Sequence, residues 1–134
     1  MAQQEIEVIL TRQLASYLAM PMFLVDPRGT LLYYNEPAEA ILGLRFEETG
    51  EMPAAEWSTI WKPVDDDGTP LPPAALPLTI ALTERRPAFR TFGICGLNGT
   101  ARRISVTAFP LIGQAGRFLG AVAIFWQDGP VEPT

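Results

Sequence analysis

The stretch FLVDPRGTLLYYNEPAEAILG, residues 23–43, decides the fold, because strand and turn signals follow one another within it. Met22–Val25 is an apolar run that predicts a short strand, and residues 26–29, Asp-Pro-Arg-Gly, have the composition of a tight turn. Thr30–Tyr34 is β-branched, aliphatic and aromatic, which predicts a second strand. The two strands are therefore expected to form a β-hairpin.

The polar and glycine residues of this stretch predict its caps and turns. Asn35 suits the N-cap of a helix over Glu36–Leu42, and Gly43 suits its C-terminal cap. Asp26 and Asn35 stand at strand ends, so we expect their side chains to bind backbone N–H groups and to approach each other across the hairpin. Asp26, Gly29, Asn35 and Gly43 are thus interpreted as residues that hold the fold.

An amphipathic helix is predicted upstream of the hairpin, over Gln4–Leu18, and Pro21 follows its end. Its apolar residues recur at helical spacing, and five of them form the predicted dimer interface: Ile6, Ile9, Leu10, Leu14 and Tyr17.

Downstream of the hairpin, glycine and proline interrupt residues 44–73, so only short helical pieces are predicted there, such as one over Ala54–Trp61. Leu76–Glu84 regains a helical pattern, with Pro77 at a position that tolerates proline.

Three strands are predicted to close the chain, over Ala88–Leu97, Ala101–Leu111 and Arg117–Gln127. Asn98-Gly99 joins the first two and is a strong hairpin signal, and residues 113–116 supply the next turn. The element order predicts an α+β fold with an antiparallel sheet and helices grouped on one face.

The last strand is apolar on both faces. Alternation directs Val122, Ile124 and Trp126 to one face and Ala121, Ala123 and Phe125 to the other. The short middle helices can cover one face only, so the other face requires the N-terminal helix, a second subunit, or both.

Composition excludes several classes of function. The 134-residue chain has a net charge of −5 and scattered basic residues, which disfavours nucleic-acid binding. The longest apolar run, Leu119–Trp126, is too short for a membrane span, so a cytoplasmic protein is expected. The absence of histidine removes imidazole-based catalysis, metal ligation and haem ligation, and the chain is predicted not to be an enzyme.

Residues 23–43 resemble the opening hairpin and first helix of the PAS family of sensory domains. The resemblance extends through Asp67-Gly68, the helix that starts at Pro77-Leu78, Arg102–Pro110 and Gly120–Trp126. It implies three regions: a flanking helix over residues 1–20 for dimerisation, a PAS domain over 21–128, and a tail over 129–134.

The resemblance also implies a five-stranded sheet around a cavity that holds a small organic ligand or nothing, in a homodimer that regulates an effector domain or partner protein. No cofactor is expected. The Asn-Cys-Arg-Phe motif of flavin-binding family members is absent, and haem would have to use Tyr33, Cys95 or a methionine.

Eight residues are predicted to line the cavity, since aromatic and aliphatic side chains suit an apolar ligand. They are Trp57, Trp61, Leu78, Phe92, Ile94, Val106, Ile124 and Trp126.

Several residues leave two interpretations open. Cys95 is either a quiet thiol or one activated by Arg90 or Arg103. These arginines, Arg85-Arg86 and Arg102 could also pair a ligand carboxylate in the cavity. Residues 65–68, Asp-Asp-Asp-Gly, are interpreted as a solvated turn, because the spacing of a calcium loop is missing.

Three hypotheses about function follow from the sequence: a ligand-binding sensory module, a protein-interaction adaptor with a filled core, and an acid/base enzyme. The enzyme requires two carboxyl groups in an apolar cavity and ranks last.

Overall fold

A computed structural model describes residues 6–96 and 99–127 of the chain. Within these residues the α-helices are α1 (Ile6–Tyr17), α2 (Glu36–Leu42), α3 (Phe46–Thr49), α4 (Ala54–Trp57) and α5 (Pro77–Glu84). The strands in the same described ranges are β1 (Met22–Val25), β2 (Leu31–Tyr34), β3 (Ala88–Cys95), β4 (Ala101–Ile112) and β5 (Phe118–Gln127). Short 3₁₀ turns lie at Pro73–Ala75 and Gln114–Gly116.

The strands form one antiparallel sheet in the order β2-β1-β5-β4-β3. The hairpin of β1 and β2 joins the three closing strands through the β1–β5 pair, which places the C-terminal strand at the centre of the sheet. This arrangement confirms the predicted α+β class with a five-stranded antiparallel sheet.

The core has two parts, one on each face of the sheet. The larger part includes Phe23, Trp57, Trp61 and Phe125 together with residues of α2 and α5, and we call this side the inner face. The smaller part packs Val8 of α1 and its helical neighbours against residues of β1, β2 and β5, and we call this side the outer face. Helix α1 and the middle helices therefore cover opposite faces.

The middle of the chain differs from the prediction in two places. Helix α3 is one of the short helical pieces expected in residues 44–73, but its position was not predicted. Its first free N–H group, that of Phe46, is capped by the carboxylate of Glu39 in α2 at 2.8 Å. The helix predicted over Ala54–Trp61 ends at Trp57, after which the chain continues in turns to Lys62, whose φ is 49°. The start of α3 thus depends on a contact with another helix rather than on local pattern.

Parts of some predicted elements lie outside the described residues, namely Gln4, Glu5, Leu97, Asn98 and the tail 129–134. Within 6–96 and 99–127, no helix combines the length and apolar character that crossing a membrane requires.

Candidate functional site

The turn of the first hairpin positions one end of the inner face. Asp26 Oδ1 accepts hydrogen bonds from the backbone N–H groups of Arg28 and Thr30, both at 2.9 Å. Gly29 has a φ of 88°, which an alanine would adopt only with strain, and its carbonyl accepts the indole N–H of Trp57 at 2.7 Å. The turn therefore fixes the position of a cavity tryptophan.

Asn35 is 1 % exposed, and both the oxygen and the nitrogen of its side-chain amide form hydrogen bonds. Its Oδ1 accepts the N–H of Met22 at 3.0 Å and that of Ala38 at 3.3 Å, the latter as N-cap of α2. Its Nδ2 donates to the carbonyls of Ala15 and Met20, both at 2.9 Å. One side chain thus connects the end of α1, the start of β1 and the start of α2.

The expected approach of Asp26 to Asn35 was wrong. Strand β1 runs from Met22 to Val25, and Asn35 binds backbone at its first residue, whereas Asp26 binds the turn that follows its last. The two side chains stabilise opposite ends of the hairpin. Gly43 has a φ of 81° and caps α2, as its position in the sequence predicted.

A cavity of about 80 Å³ lies between the inner face and the middle helices. It is lined by Phe23, Leu42, Trp57, Trp61, Pro63, Leu76, Pro77, Leu78, Phe92, Ile94, Ile104, Val106, Ala123 and Phe125.

The polar atoms of the cavity wall are already paired. The indole N–H of Trp61 donates to the carbonyl of Leu42 at 3.0 Å, and that of Trp57 donates to Gly29. The cavity therefore offers van der Waals contact rather than hydrogen bonds. Its volume is below the roughly 300–1,000 Å³ of pockets that hold drug-sized ligands.

Aromatic side chains form one end of this cavity. The ring of Phe23 lies 5.5 Å from those of Tyr34 and Phe125 and 5.8 Å from that of Trp61. The hydroxyl of Tyr34 donates to the carbonyl of Leu44 at 2.8 Å. Burial raises the pKa of Tyr34 above its ordinary value, and the hydrogen bond with Thr49 partly opposes this effect.

Six of the eight predicted cavity residues line it: Trp57, Trp61, Leu78, Phe92, Ile94 and Val106.

The assignment of Ile124 and Trp126 to the cavity was wrong. In the β1–β5 pair, Ala123 lies opposite Phe23 and shares its face, so Ala123 and Phe125 point inward. Ile124 therefore packs with the outer part of the core. The alternation in β5 was correctly identified, but which face the helices cover was not.

Phe23 lines the cavity, although it was not among the residues predicted to do so. Its position in β1 alternates with the outward Met22 and Leu24, so the strand pattern contained the signal. The alternation does not say which face is the inner one, and only the register between β1 and β5 shows it.

The arginines proposed as carboxylate partners do not line the cavity. Arg90 and Arg103 pair with Asp65 and Asp66, at 3.4 Å and 2.6 Å. Three others have different partners: Arg86 pairs with Glu84, Arg102 donates to Gln127, and Arg85 stacks over Phe118. A charged ligand group in the cavity would therefore lack a cationic partner from this set.

In the acidic turn at 65–68, aspartate side chains accept hydrogen bonds from backbone N–H groups of the turn and of the residue that follows it. Asp67 Oδ1 accepts the N–H of Thr69 at 3.0 Å, and hydrogen bonds from Thr69 keep the pKa of Asp67 below its ordinary value. In the described ranges, no group of three or more His, Cys, Asp or Glu side chains could hold a metal ion.

Cys95 is half-buried at the end of β3, and its Sγ lies 3.6 Å from the carbonyl oxygen of Gly96. The two arginines considered as activating cations, Arg90 and Arg103, are directed to the acidic turn instead. The geometry favours the quiet thiol.

Helix α1 presents an apolar face to solvent. Val8 and Ala15 face the sheet and are buried, whereas the five residues of the predicted interface are 45–86 % exposed. They are Ile6, Ile9, Leu10, Leu14 and Tyr17.

Part of the outer face is also uncovered. Phe89 is 62 % exposed and Phe109 is 36 % exposed. The ring of Phe89 lies 6.2 Å from that of Trp126, which is half-buried. Helix α1 packs over β1, so it leaves apolar area on the β3 side of the sheet.

Comparisons with known proteins identify the fold. No family model and no curated protein matches the chain. Among solved structures, the PAS domain of BvgS from Bordetella pertussis matches with a TM-score of 0.64 and 14 % identity, over 92 % of this chain and 87 % of that one.

Two further solved structures are similar to this chain over most of its length. The LOV protein of Rhodobacter sphaeroides matches with a TM-score of 0.71 and 14 % identity, over 93 % of this chain and 69 % of that one. The PAS domain of an HTR-like protein from Haloarcula marismortui matches with a TM-score of 0.60 and 14 % identity, over 90 % of each chain. Together with the five-stranded sheet and its flanking helices, these similarities show that the chain has the PAS fold.

Proposed function

We propose that the chain is a sensory or regulatory module that forms a homodimer through α1 and the outer face, and that passes a signal to an effector domain or partner protein. The observation that carries this proposal is the apolar stripe of α1, which lies opposite its buried face. Exposed side chains such as Leu10 and Leu14 lose contact with water when a second copy packs on them.

The uncovered aromatic side chains of the outer face extend the same surface. Phe89 and Trp126 neighbour each other, and burial of both would add large apolar area to a dimer. We expect α1 and the uncovered part of the outer face to form one dimer surface. In this proposal residues 1–20 are the flanking helix and residues 21–128 are the domain.

Replacing Leu10 and Leu14 by glutamate is expected to convert the dimer to a monomer, because two charges would be buried in the interface. Light scattering and sedimentation measure the mass. Both leucines are exposed, so the monomer should keep its fold, which circular dichroism checks.

A charge-matched control combines Ser16→Glu with Arg12→Gln. These residues lie on the flank of α1 that lines a groove against the sheet, and the pair changes the net charge by the same amount. The control should stay dimeric. A dimer that survives Leu10→Glu with Leu14→Glu would contradict this interface.

We infer further that the inner cavity, if it binds a ligand, takes a small uncharged and apolar molecule, because its walls offer only apolar contact. The small volume also supports a second function, an adaptor whose core is filled by its own side chains. Native mass spectrometry of the purified protein separates them: a retained small molecule supports the sensor, and the bare chain mass supports the adaptor.

A non-catalytic role is part of the same proposal. The described residues that line the cavity are all apolar, whereas acid/base catalysis needs a titratable group beside the substrate. A cytoplasmic location, as expected from the sequence, also remains a proposal.

A further inference from the structure

A second concave site lies on the outer face, between α1 and the strands β1 and β2. Its volume is about 380 Å³, several times that of the inner cavity. Val8, Leu24 and Leu32 are buried side chains that form its apolar floor. The site lies within one chain and is separated from the inner cavity by the sheet.

The wall of this groove carries a cation. The guanidinium carbon of Arg12 lies 4.7 Å from the ring centre of Tyr33 and 5.9 Å from that of Phe46. Ring contact of this kind holds the guanidinium over the groove while leaving its N–H groups available. Within the described ranges, Arg12 forms no ion pair with a carboxylate.

We propose that this groove binds a small amphiphilic monocarboxylate, with the carboxylate on Arg12 and the apolar chain on the floor. A guanidinium presents parallel N–H donors that match the two oxygens of a carboxylate. The floor would remove the chain from water, and such burial supplies most of the binding energy of an apolar ligand.

The charges around the groove select a single carboxylate over a phosphate or other polyanion. Among the described residues that line the groove, Arg12 is the one cation and balances a single negative charge, whereas Glu51 opposes every additional charge of a ligand. The chain as a whole has a net charge of −5, which adds to that repulsion.

The groove also touches the surface proposed for dimerisation, because Ile9 lines it and belongs to the exposed stripe of α1. Arg12 and the apolar floor belong to one chain, so the monomer expected from Leu10→Glu with Leu14→Glu keeps both parts of the proposed binding site. The two proposals can therefore fail independently.

Octanoate is the probe for the test, used in an NMR titration of the full chain labelled with ¹⁵N and with ¹³C at methyl groups. We expect saturable shifts at Val8, Leu24 and Leu32. Arg12→Gln should weaken binding by at least about tenfold, as expected on losing one charge-assisted pair. Arg28→Gln, which removes an exposed cation at the hairpin turn, should leave the affinity unchanged.

Octanamide, which has the same chain and no charge, should bind the wild-type protein as weakly as octanoate binds Arg12→Gln. Shifts confined to inner-cavity residues such as Ile94 and Val106 would overturn the proposal, since they place the probe on the other face. Unchanged affinity in Arg12→Gln, or no saturable shift with millimolar octanoate, would overturn it as well.

Discussion

Replacing Gly120 by alanine is expected to destabilise the folded state of this domain strongly. Gly120 lies in β5 with a φ of 132°, a conformation that is open to glycine and strained for any other residue. An added Cβ would overlap the carbonyl oxygen of Val25 and lie 3.0 Å from its carbonyl carbon. Because both contacts are with backbone, no side-chain rotation relieves them.

The effect is large because the clash lies where the first hairpin joins the sheet. Val25 pairs with Ala121, the residue after Gly120, and both are fully buried. Separating these strands would cost about 4 kcal/mol or more, a large part of the roughly 5–15 kcal/mol of a typical domain. Urea unfolding followed by tryptophan fluorescence and circular dichroism measures the loss.

Gly68→Ala is the matched control for this prediction. Gly68 also has a positive φ, 85°, but a Cβ there meets no atom within 4 Å. Its cost should be about 1–2 kcal/mol, the penalty of the left-handed conformation alone. Equal unfolding free energies for the two alanine variants would show that the contact with Val25 does not matter.

Replacing Asn35 by alanine is expected to lower the unfolding free energy by about 3–4 kcal/mol, because four hydrogen bonds, three of them buried, lose one partner. The buried N–H of Met22 would then lose its side-chain acceptor, and the carbonyl of Ala15 would keep only the N–H of Leu18, at 3.2 Å. Urea unfolding measures the change, and the slope of the unfolding free energy against urea concentration should stay the same. A loss below about 1 kcal/mol would contradict the role given to the amide.

Asn35→Asp separates the two halves of this side chain. The carboxyl keeps an acceptor for the N–H groups of Met22 and Ala38, but an ionised carboxylate cannot donate to the carbonyls of Ala15 and Met20. Amide hydrogen exchange should therefore speed up in α1 more than in the β1–β2 hairpin. Equal acceleration in both would mean that Asn35 does not anchor the helix.

Asn35 matters for the proposed relay because it joins the two sides of the sheet. Its amide binds the end of α1, on the outer face, and the start of α2, whose Leu42 reaches the inner cavity. A shift of α2 caused by a cavity ligand would change the same hydrogen bonds that hold α1. The structure thus contains a short physical connection between the cavity and the proposed dimer surface.

The local elements of the fold were predictable from sequence. Helix α2 runs over the predicted residues Glu36–Leu42 between Asn35 and Gly43, because capping and a left-handed C-terminal residue are local preferences. Strand β1 was predicted over the residues at which the structure shows it, Met22–Val25, because an apolar run beside a turn needs no distant partner to be identified.

Contacts between distant segments were not predictable in this way. Helix α3 begins where Glu39 caps the N–H of Phe46, a contact that depends on how α2 packs. Arg90 and Arg103 reach Asp65 and Asp66 because the acidic turn folds beside β3 and β4, which no residue pattern indicates.

The sequence by itself determined that this chain forms a two-stranded hairpin, a helical middle and three closing strands, that β5 is apolar on both faces, and that α1 is amphipathic. Only the tertiary structure decided which face of β5 meets the cavity, since alternation defines two faces without saying what covers each. The β1–β5 register places Ala123 and Phe125 inward and Ile124 outward. Packing of α1 on that outer face then forms the groove beside Arg12, which requires residues brought together from α1, β1 and β2.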